Sequence, residues 1–475
     1  MTTPTKGFYI DGAWAEPSEH HPYPVVDPAT EQVVATLPLG TAADVDRAVA
    51  AARAAFDGWS QTSVDERADL LVRIIEGYRA RSDEFAKLMT TEMGVPITFS
   101  REVQAPCGDG HLQATLDALR AHVFERPSDR GGSTLVDQPI GVCGLITPWN
   151  WPVNQVVVKV APALAAGCTM VLKPSEESPL SADLFAEVLH EAGCPPGVFN
   201  LIHGEGPVVG SALSAHPDVD LVSFTGSTRA GIAVSRAAAE TVKRVTLELG
   251  GKSPNLLFAD ADLDSAVRYS VENCFSNSGQ SCDAPTRLLV ERSVYDEVVD
   301  RAAAVAEATE VGDPTVEGDH LGPVVNRRQF DRIQELIEVG VGEDNRLVAG
   351  GPGRPEGLDR GFYIRPTVFA DVTNDQRIAR EEVFGPVLAI LAFDDEEEAI
   401  RIANDSTYGL GAFVQTGDPE RAARVARRLQ AGNVSINGAA YDYDVPFGGV
   451  KQSGNGRENG ALGLEEYLDT KAITG

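Results

Sequence analysis

The chain has 475 residues, of which 43% are apolar and 23% charged, and it carries a formal net charge of −30. That length exceeds one compact core and predicts two or three domains. So acidic a surface repels phosphate backbones and anionic lipid, which argues against nucleic-acid and membrane partners; the six cysteines, with no CxxC and no nearby His cluster, read as reduced thiols of a cytoplasmic protein without a metal site.

In chain order, Met1–Lys6 opens no secretory signal. Val45, Ala48, Val49, Ala52, Ala55, Phe56 and Trp59 recur at helical spacing after Thr41. Ser63-Val-Asp-Glu66 is a capping box before a stripe of Leu70, Leu71, Ile74, Ile75 and Tyr78. Residues 121–138 are polar, with Gly131-Gly132 in a turn between extended arms; together with the strand-like tail 467–475 they suggest subunit contacts through an exposed edge. The longest apolar stretch, Val153 to Leu172, is interrupted by Asn154, Gln155, Lys159, Pro162 and Gly167, which is not the pattern of a membrane span.

From residue 141 the rhythm is strand, turn, helix. Strands are expected at 141–146, 168–172, 198–202, 219–224 and 244–248, with helices such as 181–192 and 228–239 between them. A second series has strands at 256–258, 287–290, 346–349 and 386–393 and helices at 262–275, 295–308, 327–339 and 419–429. Repeated βα units predict an α/β protein with mainly parallel sheets covered on both faces, and ligands at the carboxyl ends of the strands.

Several turns at those ends carry chemistry. In Thr147-Pro-Trp-Asn-Trp-Pro152 the Asn150 amide is placed to donate to an oxyanion, although Asn in such a turn is commonplace. In Leu172-Lys-Pro-Ser-Glu-Glu-Ser-Pro179, Lys173 and Glu176 have the spacing to hold two ribose hydroxyls. Phe224-Thr-Gly-Ser-Thr-Arg-Ala-Gly231 runs from strand into helix and offers backbone N–H groups to a phosphate. Gly204-Glu-Gly-Pro-Val-Val-Gly210 mimics a dinucleotide fingerprint, but its last glycine is one place too far on, and Pro207 and Glu205 oppose the usual mechanics.

Glu248 ends a strand in Leu247-Glu-Leu-Gly-Gly-Lys-Ser-Pro254; it is either a base of raised pKa or the partner of Lys252. In Glu381-Glu-Val-Phe-Gly-Pro386, Glu382 is a candidate for a second ribose and Phe384 for packing beside its base. The loop 446–458 is dense in glycine, with no chemistry evident from residue types. Cys282, in Phe275-Ser-Asn-Ser-Gly-Gln-Ser-Cys-Asp-Ala284, is a candidate covalent nucleophile, the alternative being a small buried hydrophobe.

Taken together, in identity, order and spacing, these segments resemble the aldehyde dehydrogenase superfamily over nearly the whole chain, from Phe8-Tyr-Ile-Asp-Gly12 to the tail. The resemblance implies two doubly wound parallel-sheet domains, a Rossmann-like cofactor domain at 1–120 and 140–249 and a catalytic domain at 250–447, with oligomerisation segments at 121–139 and 448–475 that would build a homodimer or homotetramer. It implies Cys282 as nucleophile, Glu248 as general base, Asn150 as oxyanion donor and Glu458 as support for a water network. The cofactor would be NAD, with NADP admitted, held by Trp149, Lys173, Ser175, Glu176, Gly206, Gly226, Ser227, Leu249, Glu382 and Phe384. A carboxylate at Glu176 leans towards NAD because it repels a 2′-phosphate. Glu248 favours water over coenzyme A as acyl acceptor.

Trp151, Asn154, Gln155, Ser281, Tyr441, Asp442 and Tyr443 would border the substrate tunnel, where no basic anchor for an acidic aldehyde stands. Asp283 departs from what a nucleophile wants, since an anion beside the thiol opposes its ionisation unless it points away. Two other readings use the same residues: a cofactor-independent ester or thioester hydrolase built on Cys282 and Glu248, and a non-enzymatic scaffold that keeps the fold.

Overall fold

The computed structural model describes residues 3–4 and 6–474; Met1, Thr2, Thr5 and Gly475, and so part of the opening segment and the last tail residue, lie outside the described residues. Alternation of strand and helix builds two large sheets. The first has eight strands in the order Gly454–Asn455, Arg244–Glu248, Leu221–Thr225, Val142–Ile146, Thr169–Lys173, Phe199–Leu201, Phe8–Ile10 and Ala13–Ala15. The five in the middle are parallel, and mostly apolar runs such as Val-Cys-Gly-Leu-Ile suit their burial on both faces.

The chain leaves Val142–Ile146 in both directions, first to Thr169–Lys173 and later to Leu221–Thr225. That reversal opens a crevice outside the carboxyl ends of the two neighbouring strands, the usual ligand position in such sheets. Thr147, Lys173, Gly226 and Glu248 all stand on its rim.

The second sheet runs Arg346–Ala349, Thr367–Ala370, Val387–Phe393, Arg287–Glu291, Pro254–Leu257, Gly411–Gln415 and Asn433–Ile436, parallel except for the first strand. Arg244–Glu248 closes one sheet and Pro254–Leu257 opens the other, so Glu248 to Ser253 crosses between them. Three strands of the second sheet, Thr367–Ala370, Gly411–Gln415 and Asn433–Ile436, are too short to show a period in sequence.

The apolar stretch 153–172 resolves into the helix Pro152–Ala166, a left-handed Gly167 at φ 91° and the strand Thr169–Lys173. The helix is apolar nearly all round because the sheet and the helices Val64–Ala80 and Ala105–Ala121 enclose it. Among the described residues no helix is long and apolar enough to cross a membrane. The expected capping box closes Val64–Ala80: Glu66 N–H donates to Ser63 Oγ at 3.2 Å and Ser63 N–H to the Glu66 carboxylate at 2.8 Å, an arrangement worth about 1 kcal/mol.

Glu125–Pro127, Ser133–Pro139 and Leu468–Thr474 form a separate antiparallel sheet with the tail strand on its edge. Another small antiparallel pairing, His21–Asp27 with Gln32–Leu39, was not foreseen from the sequence pattern.

Candidate active site

Cys282 sits on a loop that a sharp backbone bend creates. After the helix Leu263–Phe275, Asn277 and Ser278 both take φ of 55° and Gly279 takes 73°. A Cβ on Gly279 would lie 2.1 Å from the Gly385 carbonyl carbon, so only glycine lets the two loops meet. Asn277 pays for its left-handed conformation with hydrogen bonds: its amide donates to the carbonyls of Asn150 at 2.9 Å and Gln280 at 3.2 Å. Gln104 donates to Asn277 Oδ1 at 3.0 Å, and Gln280 Oε1 accepts from Val325 N–H at 3.0 Å. These buried amides lock Asn150 to the loop that carries Cys282. Asn150 Nδ2 donates to the Gln280 carbonyl at 3.0 Å, two residues before Cys282, and this nitrogen carries a second N–H.

The thiol of Cys282 is half-buried. Burial pushes its pKa well up, and the carboxyls of Asp283, Glu248, Glu382 and Glu458 push it the same way. Asp283 therefore does oppose ionisation of the Cys282 thiol, as its position in sequence suggested.

Glu248 ends its strand 5% exposed, with neither carboxylate oxygen partnered among the described residues. Burial, then Glu458, raises its pKa well above the carboxylate range, while Lys159 and Arg457 pull it down. It is not paired with Lys252. Lys159, 1% exposed, instead ties to Glu458 Oε1 and to Ser223 Oγ at 3.0 Å. Two carboxyls and two cations thus cluster here, Glu248 and Lys159 buried, Glu458 and Arg457 half-buried.

From Glu248 the chain passes Leu249, whose N–H donates to the Ser453 carbonyl at 2.9 Å, and then two glycines that let neighbours close in. A Cβ on Gly250 would meet Glu382 Oε2 at 2.3 Å, and one on Gly251 would meet the Cys282 carbonyl oxygen at 2.4 Å. Gly251 N–H donates to Glu382 Oε1 at 2.9 Å. Burial raises the Glu382 carboxyl to about 7 against that bond and Lys252.

Around the crevice, Lys173 Nζ donates to Glu176 Oε2 at 3.2 Å and to the Pro174 carbonyl at 3.0 Å, and Ser175 Oγ accepts from Glu177 N–H at 3.2 Å. Gly206 opens a short turn where a Cβ would meet nothing within 4 Å, and a Cβ on Gly210 would meet Ile146 and the Lys173 stem at 3.9 Å. The region that mimics a fingerprint thus does reach the crevice, through an irregular turn. Gly226 N–H is committed to the Glu248 carbonyl at 3.0 Å, and Ser227 caps the helix Thr228–Ala239 by accepting from Ala230 N–H at 3.3 Å. Trp149 and Phe384, the latter at φ 57°, meet edge to face at 5.4 Å. The hydroxyls of Thr147 and Thr225, at the carboxyl ends of the two strands that flank the chain reversal, are buried without partners. A crevice lined by a Lys–Glu pair, orphaned hydroxyls and an open glycine turn fits a dinucleotide.

Next to Cys282 in sequence, Ser281 Oγ accepts from Trp151 Nε1 at 2.9 Å. Tyr441 and Tyr443 meet at 5.0 Å, and Tyr443 also meets the His111 ring at 4.8 Å. The Tyr443 hydroxyl donates to Cys107 Sγ at 3.5 Å, and Tyr441 accepts from Asn459 at 2.8 Å. Asn154 neighbours His111.

The sequence profile of the aldehyde dehydrogenase family matches residues 14–473. The chain belongs to the aldehyde dehydrogenase family. It is 53% identical over 469 residues to a 3-succinoylsemialdehyde-pyridine dehydrogenase of a Pseudomonas species, with 98% of each chain covered. An aldehyde dehydrogenase crystal structure from Bartonella henselae superposes with a TM-score of 0.98 at 50% identity, covering 100% of both chains. Aldehyde dehydrogenase C of Pseudomonas syringae, solved as a cysteine-to-alanine mutant with NAD+ and octanal, gives a TM-score of 0.98 at 54% identity, covering 99% of this chain and 96% of that one.

In this aldehyde dehydrogenase the structure gathers Cys282, Glu248, Asn150, Glu382 and Glu458 in one place. Sequence reasoning missed Lys159, which reads as a mere interruption of an apolar run. It missed Gln104, which sits in no motif, and it gave no role to Asn277 and Gln280, although both stand in the nucleophile loop. Cys107 and His111 on the helix Ala105–Ala121 became visible only through their contacts with Tyr443.

Proposed function

We propose that this protein oxidises an aldehyde to the carboxylic acid with NAD, using Cys282 as nucleophile and Glu248 as the base that activates water. The observation that carries the reading is Glu248: a buried carboxyl with two unpartnered oxygens, an electrostatic neighbour of the half-buried Cys282 thiol. A buried carboxyl left without hydrogen bonds is costly unless it has a chemical task.

Lys173 and Glu176 would hold one ribose and Glu382 the other, with Trp149, Ser175, Gly206, Gly226, Ser227, Leu249 and Phe384 around the remainder of the dinucleotide. Glu176 disfavours a 2′-phosphate, so NAD is the preferred form. When bound, the cofactor accepts the hydride and brings a positively charged ring, which favours thiolate. The Cys282 sulfur adds to the carbonyl carbon, and the resulting oxyanion takes the second N–H of Asn150 and the Cys282 backbone N–H. Losing one such donor typically costs about 10²–10³ in rate. Hydride loss leaves a thioester on Cys282. Glu248 takes a proton from water, the hydroxide attacks the thioester, and the acid departs as the thiolate is restored. Lys159 and Arg457 offset the cost of burying charge on Glu248, and Glu458 balances Lys159. The unpaired edge of Leu468–Thr474 suits a homodimer or homotetramer, and the reduced cysteines suit the cytoplasm.

Purified protein mixed with an aldehyde panel and with NAD or NADP in parallel tests the reading. NADH should form with an aldehyde present, faster than NADPH, and Cys282→Ala should lower kcat by about 10⁴-fold or more while NAD still binds. Ester hydrolysis without aldehyde-dependent NADH, or full activity in that variant, would refute it.

A further inference from the structure

One helix is tied to two rims of the crevice. The first rim is the loop 174–178, which carries Ser175 and Glu176 and runs directly into the helix Pro179–Glu191. The start of that helix is pinned by a side chain from another element. Glu92, 0% exposed on the helix Ser82–Met93, accepts from Leu180 N–H at 2.6 Å, from Ser181 N–H at 3.2 Å and from the Ser181 hydroxyl at 2.5 Å. Two of the N–H groups that a helix start leaves free are satisfied in this way.

The second rim meets the same helix in its second turn, where Asp183 lies 2.7 Å from His203 Nε2. An ionised carboxylate only accepts, so Nε2 carries the proton and the imidazole donates. His203 follows the strand Phe199–Leu201 and directly precedes Gly204, after which Gly206–Gly210 turns along the crevice. Its carbonyl accepts from Gly40 N–H at 2.8 Å, and its Nδ1 has no partner among the described residues. A Cβ on Gly204 would meet Val209 Cγ2 at 2.2 Å, so the turn folds back tightly from the point that His203 fixes. At the end of the turn a Cβ on Gly210 would come within 3.9 Å of the Lys173 stem, which brings the two rims together.

We propose that Asp183 and His203 are positioning residues for the adenosine half of the cofactor, their bond holding the turn 204–210 at a set spacing from the loop that carries Glu176. The inference rests on the proposed NAD-dependent oxidation and deepens it. His203 is 0% exposed beside Phe8, with ring centroids 6.2 Å apart, so it acts through the turn and not by touching the dinucleotide. A buried pair of this kind adds little net stability over apolar packing, and its signature is geometric. Rims already held at the bound spacing spend no binding energy on being ordered.

The test reads binding without turnover, by calorimetry with ADP-ribose, which is the cofactor without its nicotinamide. His203→Leu fills the space and removes the donor. It should weaken ADP-ribose binding about tenfold and raise the KM for NAD as much, with kcat at saturating NAD within about twofold of wild type. His203→Gln, whose amide nitrogen replaces Nε2, should bring binding back to within about threefold. Wild-type affinity in His203→Leu, a loss of kcat with NAD affinity unchanged, or no recovery in His203→Gln overturns the inference. Should His203→Leu not fold, Asp183→Asn decides: it keeps an acceptor but removes the charge, and should weaken ADP-ribose binding about threefold. Unchanged affinity in that variant would overturn the inference too. If the wild-type protein binds neither ADP-ribose nor NAD, it is the cofactor reading that fails, so the two failures are separable.

Discussion

Two polar regions flank Cys282, and they are built on opposite principles. At the carboxyl end of the first sheet, the buried Glu248 and Lys159 are clustered with the half-buried Glu458 and Arg457. Around Tyr441 and Tyr443, by contrast, ring contacts dominate, and His111 is buried among them with its pKa depressed to about 3. Deacylation needs a base held near its working point, and a carboxyl can be kept there only by playing burial against nearby cations. In the proposed mechanism the first region would activate water and the second would border the aldehyde.

The ionic side breaks first. Glu248→Gln keeps the shape and removes the base. We expect acyl release to slow about 10²–10³-fold while hydride transfer changes far less. Stopped-flow should then show a burst of NADH followed by a slow phase, and unchanged deacylation would contradict the base role.

Next comes the frame that holds both sides to the nucleophile loop. Gln104→Leu removes the donor to Asn277, and kcat should fall about tenfold with little change in the KM for NAD. Gln104→Glu, which keeps one acceptor but loses the donor, should not restore the rate; Gln104→Asn is expected to restore part of it.

A pH series sharpens the contrast. Because the Glu248 carboxyl is raised, it is protonated at low pH, and kcat should climb as pH rises and the carboxyl ionises. Glu458→Gln removes the neighbouring negative charge, which lowers the Glu248 pKa, so the rising limb should move to lower pH by about one unit. The smallest effect is predicted across the site. His111→Gln should leave the kcat–pH profile between pH 6 and 8 in place, because His111 stays neutral throughout that range. A limb that moves with His111 and ignores Glu458 would invert the comparison.

Much of this architecture was legible in the residues. Four of the five central strands of the first sheet are mostly apolar, Arg244–Glu248 being mixed, and the structure places all five within two residues of their expected bounds. Cys282, Glu248 and Asn150 stand at strand ends or in a glycine-bent loop, where chemistry is expected, and the structure brings them together. What escaped was set by distance in sequence. Glu458 and Lys159 are 299 residues apart, and no local pattern announces that pair. Gln104 and His111 lie on elements whose sequence reads as ordinary packing, and only the fold turns them towards the site. The short strands such as Gly411–Gln415 owe their conformation to neighbours that pair with them rather than to their own periodicity.

The central claim is that the substrate becomes covalently attached to Cys282 and that Glu248 is needed to free it. Intact-protein and peptide mass spectrometry on the Glu248→Gln protein, quenched in acid after mixing with NAD and an aldehyde, tests this directly. The account predicts a mass increase equal to the acyl group, carried on the peptide that contains Cys282, together with about one equivalent of NADH. An unmodified Cys282 after that equivalent of NADH has formed would contradict it.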